Sequence, residues 1–176
     1  INKAIRYFSL VADQNNLKAQ FNIGFIYCEG KYVKRDINKA IHYLSLAANQ
    51  NDPQAQHNLG LIYYEGKYIT LDINKAIHYF SLAANQNFPK SQFNLGLIYY
   101  EGKYVKLDIN KAIHYYSLAA NQNLQQAQFN LGFICYEEKY VTGNIDKAIY
   151  YFSLAANQNN LKAQFILGVI YFEGKY

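Results

Sequence analysis

Lys-Ala-Ile recurs at residues 3–5, 39–41, 75–77, 111–113 and 147–149, a spacing of 36 residues with no slip. A glycine keeps the same step at Gly24, Gly60, Gly96, Gly132 and Gly168. Self-similarity at a fixed period of this size means one supersecondary unit copied in tandem. A single unit cannot bury its own apolar face, so each copy must pack on the next. About half of the 176 residues are apolar (51%), enough to build such a stack.

Each period holds two helices. Over residues 37–50, Ile37, Ala40, Ile41, Leu44, Ala47 and Ala48 fall on an i, i+3, i+4, i+7 stripe. Asp36 precedes this helix B as an N-cap, and Asn51 follows it as a stop that tolerates left-handed backbone. Asn144 takes the cap position in the fourth copy. Helix A runs from Pro53 to Glu65, and Pro53 and Pro89, the only prolines, both stand at a helix start, where a missing N–H is harmless. Gly66 and its counterparts Gly30, Gly102 and Gly174 end helix A. Glu138 replaces that glycine in the fourth copy, so the helix there is expected to stop differently, with Gly143 as a candidate. A glycine in mid-helix costs about 1 kcal/mol against alanine. Its repetition at Gly24 and its copies predicts close approach of a neighbouring helix.

These features predict an all-α, right-handed α-solenoid, a superhelix of tandem 36-residue helix–turn–helix repeats. The chain reads as one solenoid domain: a half repeat at 1–16, full repeats at 17–52, 53–88, 89–124 and 125–160, and a half repeat at 161–176. Ten helices are expected, with helix B alone over 1–14 and helix A alone near 161–173. Because the first residues already lie inside a repeat, the sequence is expected to be a fragment of a longer repeat protein.

Composition narrows the function classes. The net charge is +5, but lysines and glutamates recur at fixed repeat positions without a basic run, so a nucleic-acid footprint is not expected. No apolar run is long enough for a membrane span. Cys28 and Cys135 occupy different repeat positions three repeats apart, which argues against a disulfide framework and for a reducing compartment, the cytoplasm. The many asparagines make no Asn-x-Ser/Thr acceptor.

The pattern carried by Ala55, Leu59-Gly60, Tyr63, Gly66, Asp72, Lys75-Ala76 and Ala83-Ala84, with most of their copies, resembles the Sel-one-like repeat (SLR) family, a longer-looped relative of the tetratricopeptide repeat. The resemblance covers the whole chain. Two departures are visible: Tyr43, Tyr79 and Tyr115 where the family often has Trp, and Asn51, Asn87 and Asn123 where it often has Gly. Both keep the role, aromatic packing in one case and a left-handed turn in the other. Cysteine-bridged members carry a paired Cys in each repeat, which this chain lacks. The resemblance implies an adaptor or scaffold for multiprotein complexes, not an enzyme, with a protein or peptide as partner and no cofactor. A structural spacer within a larger protein is the alternative, and nucleic-acid binding a more remote one.

Helix geometry locates the surface for such a partner. Ala19, Ile23, Ile26 and Tyr27 share the face of helix A turned to helix B. The opposite face carries Phe21, Phe25 and Cys28, then His57, Leu61 and Tyr64. The stripe continues as Phe93, Leu97 and Tyr100, then Phe129, Phe133 and Tyr136, and ends at Phe165, Val169 and Phe172. In a two-layer solenoid this face lines the concave side. An apolar stripe there either holds a partner or is buried between successive A helices. The ladder Asn22, Asn58, Asn94 and Asn130 breaks only at Ile166; it offers donor and acceptor to a peptide main chain, or else forms a structural ladder. Lys18, Lys90 and Lys162 flank the stripe and alternate with Gln54 and Gln126, as solvated residues do.

No catalytic or metal site is expected. His42, His78 and His114 lie at one position on successive B helices, about 8–10 Å apart, too far to share a zinc ion bound at about 2.0–2.1 Å. Ser45 beside His42 resembles a nucleophile–base pair, but no third orienting group repeats with it. The ends keep the internal pattern: Ala4, Ile5, Phe8, Val11 and Ala12 at one, Phe165, Leu167, Ile170 and Tyr171 at the other. Solenoid ends need polar caps, so these are expected to associate head to tail or to fray.

Overall fold

The structure, a computed structural model, describes residues 2–137 and 144–174. Ten α-helices and no strand occur among them. They are α1 (Asn2–Ala12), α2 (Leu17–Glu29), α3 (Ile37–Asn49), α4 (Pro53–Glu65), α5 (Ile73–Asn85), α6 (Pro89–Glu101), α7 (Ile109–Asn121), α8 (Gln125–Tyr136), α9 (Ile145–Asn157) and α10 (Leu161–Phe172). Odd-numbered helices are B and even-numbered ones A. The lone helix B and lone helix A expected at the two ends are α1 and α10. Glu138 and Gly143 lie outside the described residues; α8 ends at Tyr136.

Local chemistry sets the helix ends. Asp36, Asp72 and Asp108 each accept the backbone N–H three residues on, at 3.0 Å, satisfying a donor the helix cannot. Asn144 does the same for α9 at 2.8 Å. At the A helices, Asp52 accepts from the Ala55 N–H and Pro53 fills the first turn. Every B helix is followed by an asparagine in left-handed backbone: Asn15, Asn51, Asn87, Asn123 and Asn159 have φ between 59° and 67°. The expected left-handed stop is therefore present in all five.

The described chain divides into two compact units, Ile1–Phe88 and Pro89–Tyr176. In the first, α1 to α5 pack in sequence order, most extensively within the hairpins α2–α3 and α4–α5. In the second, α6 to α10 do so, most extensively within α6–α7 and α8–α9. The core of each hairpin is one large side chain of helix B wedged on the glycine of helix A. Leu44, Phe80, Tyr116 and Phe152 are all fully buried. A Cβ on Gly60 would stand 2.5 Å from Phe80 Cδ1, and one on Gly96 2.6 Å from Tyr116 Cδ1. The repeated glycine thus admits a ring where any side chain would collide. Ala40, Ala76, Ala112 and Ala148, with Ala47, Ala83, Ala119 and Ala155, are buried at zero exposure and let the helices close around it.

A second buried element had no signal in apolar periodicity. Gln20, Gln56, Gln92 and Gln128 are each 1% exposed on the A helices. Gln20 Nε2 donates to the Ala12 carbonyl at 3.1 Å and to Asn15 Oδ1 at 3.3 Å, and Gln56 repeats this on Ala48 and Asn51. The next B helix closes the link. Gln50 donates to Gln20 at 2.7 Å, and Gln86 to Gln56 at 2.8 Å. In the second unit, Gln122 donates to Gln92 and Gln158 to Gln128 in the same way. Asn15 and Asn51 also accept from Gln50 and Gln86, at 3.1 Å each. An asparagine at these turns therefore supplies an acceptor that glycine could not.

Candidate partner-binding groove

The A-helix stripe divides into two kinds of position. In the hairpins α4–α5, α6–α7 and α8–α9 its first and third members clasp the large residue of the following B helix. Phe93 and Tyr100 have ring centroids 5.6 and 6.4 Å from Tyr116. Phe129 and Tyr136 stand 5.8 and 6.2 Å from Phe152, and Tyr64 stands 6.4 Å from Phe80. His57 goes furthest inward: at 8% exposure it lies 5.7 Å from Phe80 and 5.1 Å from Phe88. Its imidazole faces the hairpin interior. The middle members Phe25, Leu61 and Leu97 stand off the buried clusters, Phe25 exposed and the two leucines half-buried, whereas Phe133, also half-buried, packs against the α8–α9 core. Phe21 is half-buried and stacks on Phe25 at 6.0 Å.

In the second unit these side chains frame an open groove of about 670 Å³ across α6, α8 and α10. Leu97, Tyr100, Phe129, Phe133, Phe165 and Ile166 form its floor and walls. Asn130 lies within it, and Glu101 and Lys162 carry opposite charges along its lining. The first unit offers something different. A cleft of about 240 Å³ between α2 and α4 is lined by Phe25, Cys28, Asn58 and Leu61, and by Arg35, Glu65 and Tyr68. Arg35 spans it: Nε and a terminal nitrogen donate to the Cys28 and Glu29 carbonyls at 2.8 and 2.9 Å, and the guanidinium lies over the Tyr68 ring and meets its hydroxyl. Arg35 thus satisfies the last carbonyls of α2, and the cleft is partly filled. Phe21 and Asn22 line a shallower depression with Lys18, Asp52 and Gln54.

Asn22 is exposed, and Asn58, Asn94 and Asn130 are half-buried. Among the described residues no side-chain hydrogen bond joins Asn22 to Asn58, or Asn94 to Asn130.

The remaining reactive groups are dispersed. His42, His78 and His114 are exposed, each edge-on to the adjacent Tyr43, Tyr79 or Tyr115. Among the described residues no three His, Cys, Asp or Glu side chains gather into a metal-binding group. Cys28 and Cys135 are free thiols. Burial raises the pKa of both; for Cys28, Glu29 adds to the effect and Arg35 opposes it. Both therefore favour the unreactive protonated form. No helix among the described residues is long and apolar enough to cross a membrane.

The Sel1 repeat family model matches residues 1–16, 17–52, 53–88, 89–124, 125–160 and 161–176. A comparison with curated proteins finds no match. Solved structures are similar. One is c5321, a protective antigen of uropathogenic Escherichia coli strains displaying an SLR fold, at 30% identity and TM-score 0.91. That match covers 97% of this chain but 36% of c5321, so the chain spans about a third of that relative's length. A Sel1 repeat protein from Oxalobacter formigenes matches at 34% identity and TM-score 0.85, over 98% of this chain and 70% of its own. Helicobacter pylori cysteine rich protein B matches at 33% identity and TM-score 0.59, over 78% of this chain and 99% of its own.

Proposed function

The chain belongs to the Sel1 repeat family, and from that premise we propose that it is a protein-interaction scaffold whose partner seats apolar side chains in the α6–α8–α10 groove. Proteins built from Sel1 repeats are in general interaction scaffolds, and the fold is typically not an enzyme's. One observation carries the choice of surface: three successive A helices of one unit present a continuous apolar floor that the unit's own core leaves open. Exposed apolar patches of this kind mark interaction sites. The contacts would come from Leu97 and the exposed Phe165, with Phe133 as a wall of the groove that the α8–α9 core holds in place. Asn130, and Asn94 beside it on α6, would meet a peptide's main chain. The partner is a peptide or protein segment with several apolar side chains, and the two free thiols favour a reducing compartment such as the cytoplasm.

Selection of a displayed random-peptide library against the purified chain tests this. Enriched peptides should share two or more large apolar residues, and Leu97→Asp should abolish their binding at unchanged fold. Binding should weaken little as salt rises, because no phosphate-like contact is involved; a steep salt dependence would point instead to nucleic acid. Failure to enrich any peptide that depends on Leu97 would leave the chain a spacer.

A further inference from the structure

We propose that the cleft between α2 and α4 is a second docking site, for an extended segment of a partner protein that carries apolar side chains three residues apart and a basic side chain between them. The cleft is separate from the α6–α8–α10 groove, so this goes beyond the groove reading. Both of its walls are internal helices. In the first unit α2 packs on α1 and α3, and α4 on α3 and α5.

Three sets of side chains meet in the cleft. Phe25, Leu61 and Ile62 supply apolar surface, and Phe21 widens it by stacking on Phe25 at 6.0 Å. At about 240 Å³ the space admits single side chains, not a helix about 10–12 Å across. Asn58, half-buried in the same lining, offers both a donor and an acceptor. A helical partner has its main-chain groups bonded internally, whereas an extended one leaves them free, so Asn58 favours the extended form. Spacing then sets the side-chain pattern. Neighbouring helices stand about 8–10 Å apart, and three residues of polyproline II chain span about 9 Å. Apolar residues three apart therefore reach Phe25 on α2 and Leu61 on α4.

The third set is charged. Glu29 and Glu65 are the last residues of α2 and α4, and both line the cleft. The negative ends of the two helix dipoles reinforce their carboxylates. Arg35 and Lys67 line it too, but among the described residues neither makes an ion pair with a glutamate. Arg35 is engaged by the Cys28 and Glu29 carbonyls and by Tyr68, and Lys67 lies over the Tyr68 ring at 5.2 Å. Against Gly66 at the end of α4, Leu71 takes the place that Arg35 holds against Gly30, so α4 has no such guanidinium. The Cys28 thiol registers the balance. Burial raises its pKa most; among the charges, Glu29 raises it by more than Arg35 lowers it, and Glu65 raises it further. The potential at the sulphur is therefore negative, and a lysine or arginine of the partner complements it.

A labelled peptide of three Leu-Lys-Pro units is the probe, with three Leu-Glu-Pro units as its control. In polyproline II form the leucines, the charged residues and the prolines fall on three separate edges. Fluorescence anisotropy should show the lysine peptide binding the 176-residue chain roughly tenfold more tightly than the glutamate peptide. Glu29→Gln with Glu65→Gln should weaken that binding by roughly three- to tenfold, as loss of two exposed ion pairs does. Both glutamates are exposed, so the double variant should melt as wild type does. Leu97→Asp, in the other groove, should leave the binding unchanged. Saturating lysine peptide should also slow alkylation of Cys28 by iodoacetamide and leave that of Cys135, on α8, as it was. Absence of binding, equal binding of the two peptides, a double variant that binds as wild type, or a Cys28 as reactive at saturation as before would each overturn the proposal. Loss of binding in Leu97→Asp would overturn it as well, by assigning the peptide to the α6–α8–α10 groove, whose own reading would then stand.

Discussion

Gly96 and Gly168 hold the same repeat position and should respond to one substitution with opposite signs. Gly96→Ala places a methyl group 2.6 Å from a Tyr116 ring that is fully buried and has no room to retreat. The overpacking should cost about 1–3 kcal/mol, more than the roughly 1 kcal/mol of helix propensity gained. Gly168→Ala collects only that gain. Urea denaturation of the two variants reads the contrast directly, and equal signs would refute the wedge account of the glycine. The glutamines offer a parallel. Gln56→Leu removes its bonds to the Ala48 carbonyl and Asn51 Oδ1 and the acceptor for Gln86 at a buried position, a loss of about 1–3 kcal/mol. Gln164→Leu, on an exposed face, should stay within about 0.5 kcal/mol.

At the scale of elements, the A-helix stripe should separate by mutation into clasp and groove. Phe93→Ala with Tyr100→Ala removes both rings from Tyr116 and should destabilise the fold by about 2–5 kcal/mol. Leu97→Ala, facing the groove, should cost less than about 1 kcal/mol. The B-helix caps add a pH dependence. The Lys75 backbone N–H lowers the pKa of Asp72, against a smaller opposing effect of burial. A carboxylate whose folded pKa is depressed stabilises the fold above its ordinary pKa, and that contribution is lost as pH falls through the lowered value. Asp72→Asn should therefore match wild type at neutral pH and lose less helicity in acid, as circular dichroism would record; Asn144 already serves α9 as such a neutral cap. Helix ends of this kind were legible in the sequence because Asp36, Pro53, Asn51 and Gly66 act on their own few residues. The split of the stripe was not. A helical wheel sets Phe93, Leu97 and Tyr100 on one face, but only the approach of α7 decides that Tyr116 lies between the first and third. His57 was hidden for the same reason, its burial coming from Phe80 and Phe88 on other segments. The glutamine ladder escaped because apolar periodicity scores glutamine as surface, although its strict recurrence beside Ala19, Ala55 and Ala127 was there to be read.

Across the molecule, stability should vary with the number of neighbours each helix has. The helices α1 and α10 each pack substantially on one other described helix, while α3, α4, α7 and α8 each lie between two. In near-neighbour architectures local opening is governed by such contacts. Amide hydrogen exchange should be fastest in α1 and α10 and slowest in α3, α4, α7 and α8.

The sameness of the glutamine–glycine seam has a consequence for how such chains change over generations. Because one joint serves wherever a helix A meets the next helix B, misaligned recombination between two repeats of the gene inserts or removes a whole period and leaves every joint with a fitting partner. Excision of residues 125–160 would set α10 against α7 with Ala120, Asn123 and the ring of Tyr116 where Ala156, Asn159 and Phe152 stood. Lengthening or shortening by 36 codons is thus close to silent for folding, while a single inserted residue inside a helix rotates its glycine away from the ring it must admit. Repeat number is free to drift under such a rule, and the span of the binding surface drifts with it.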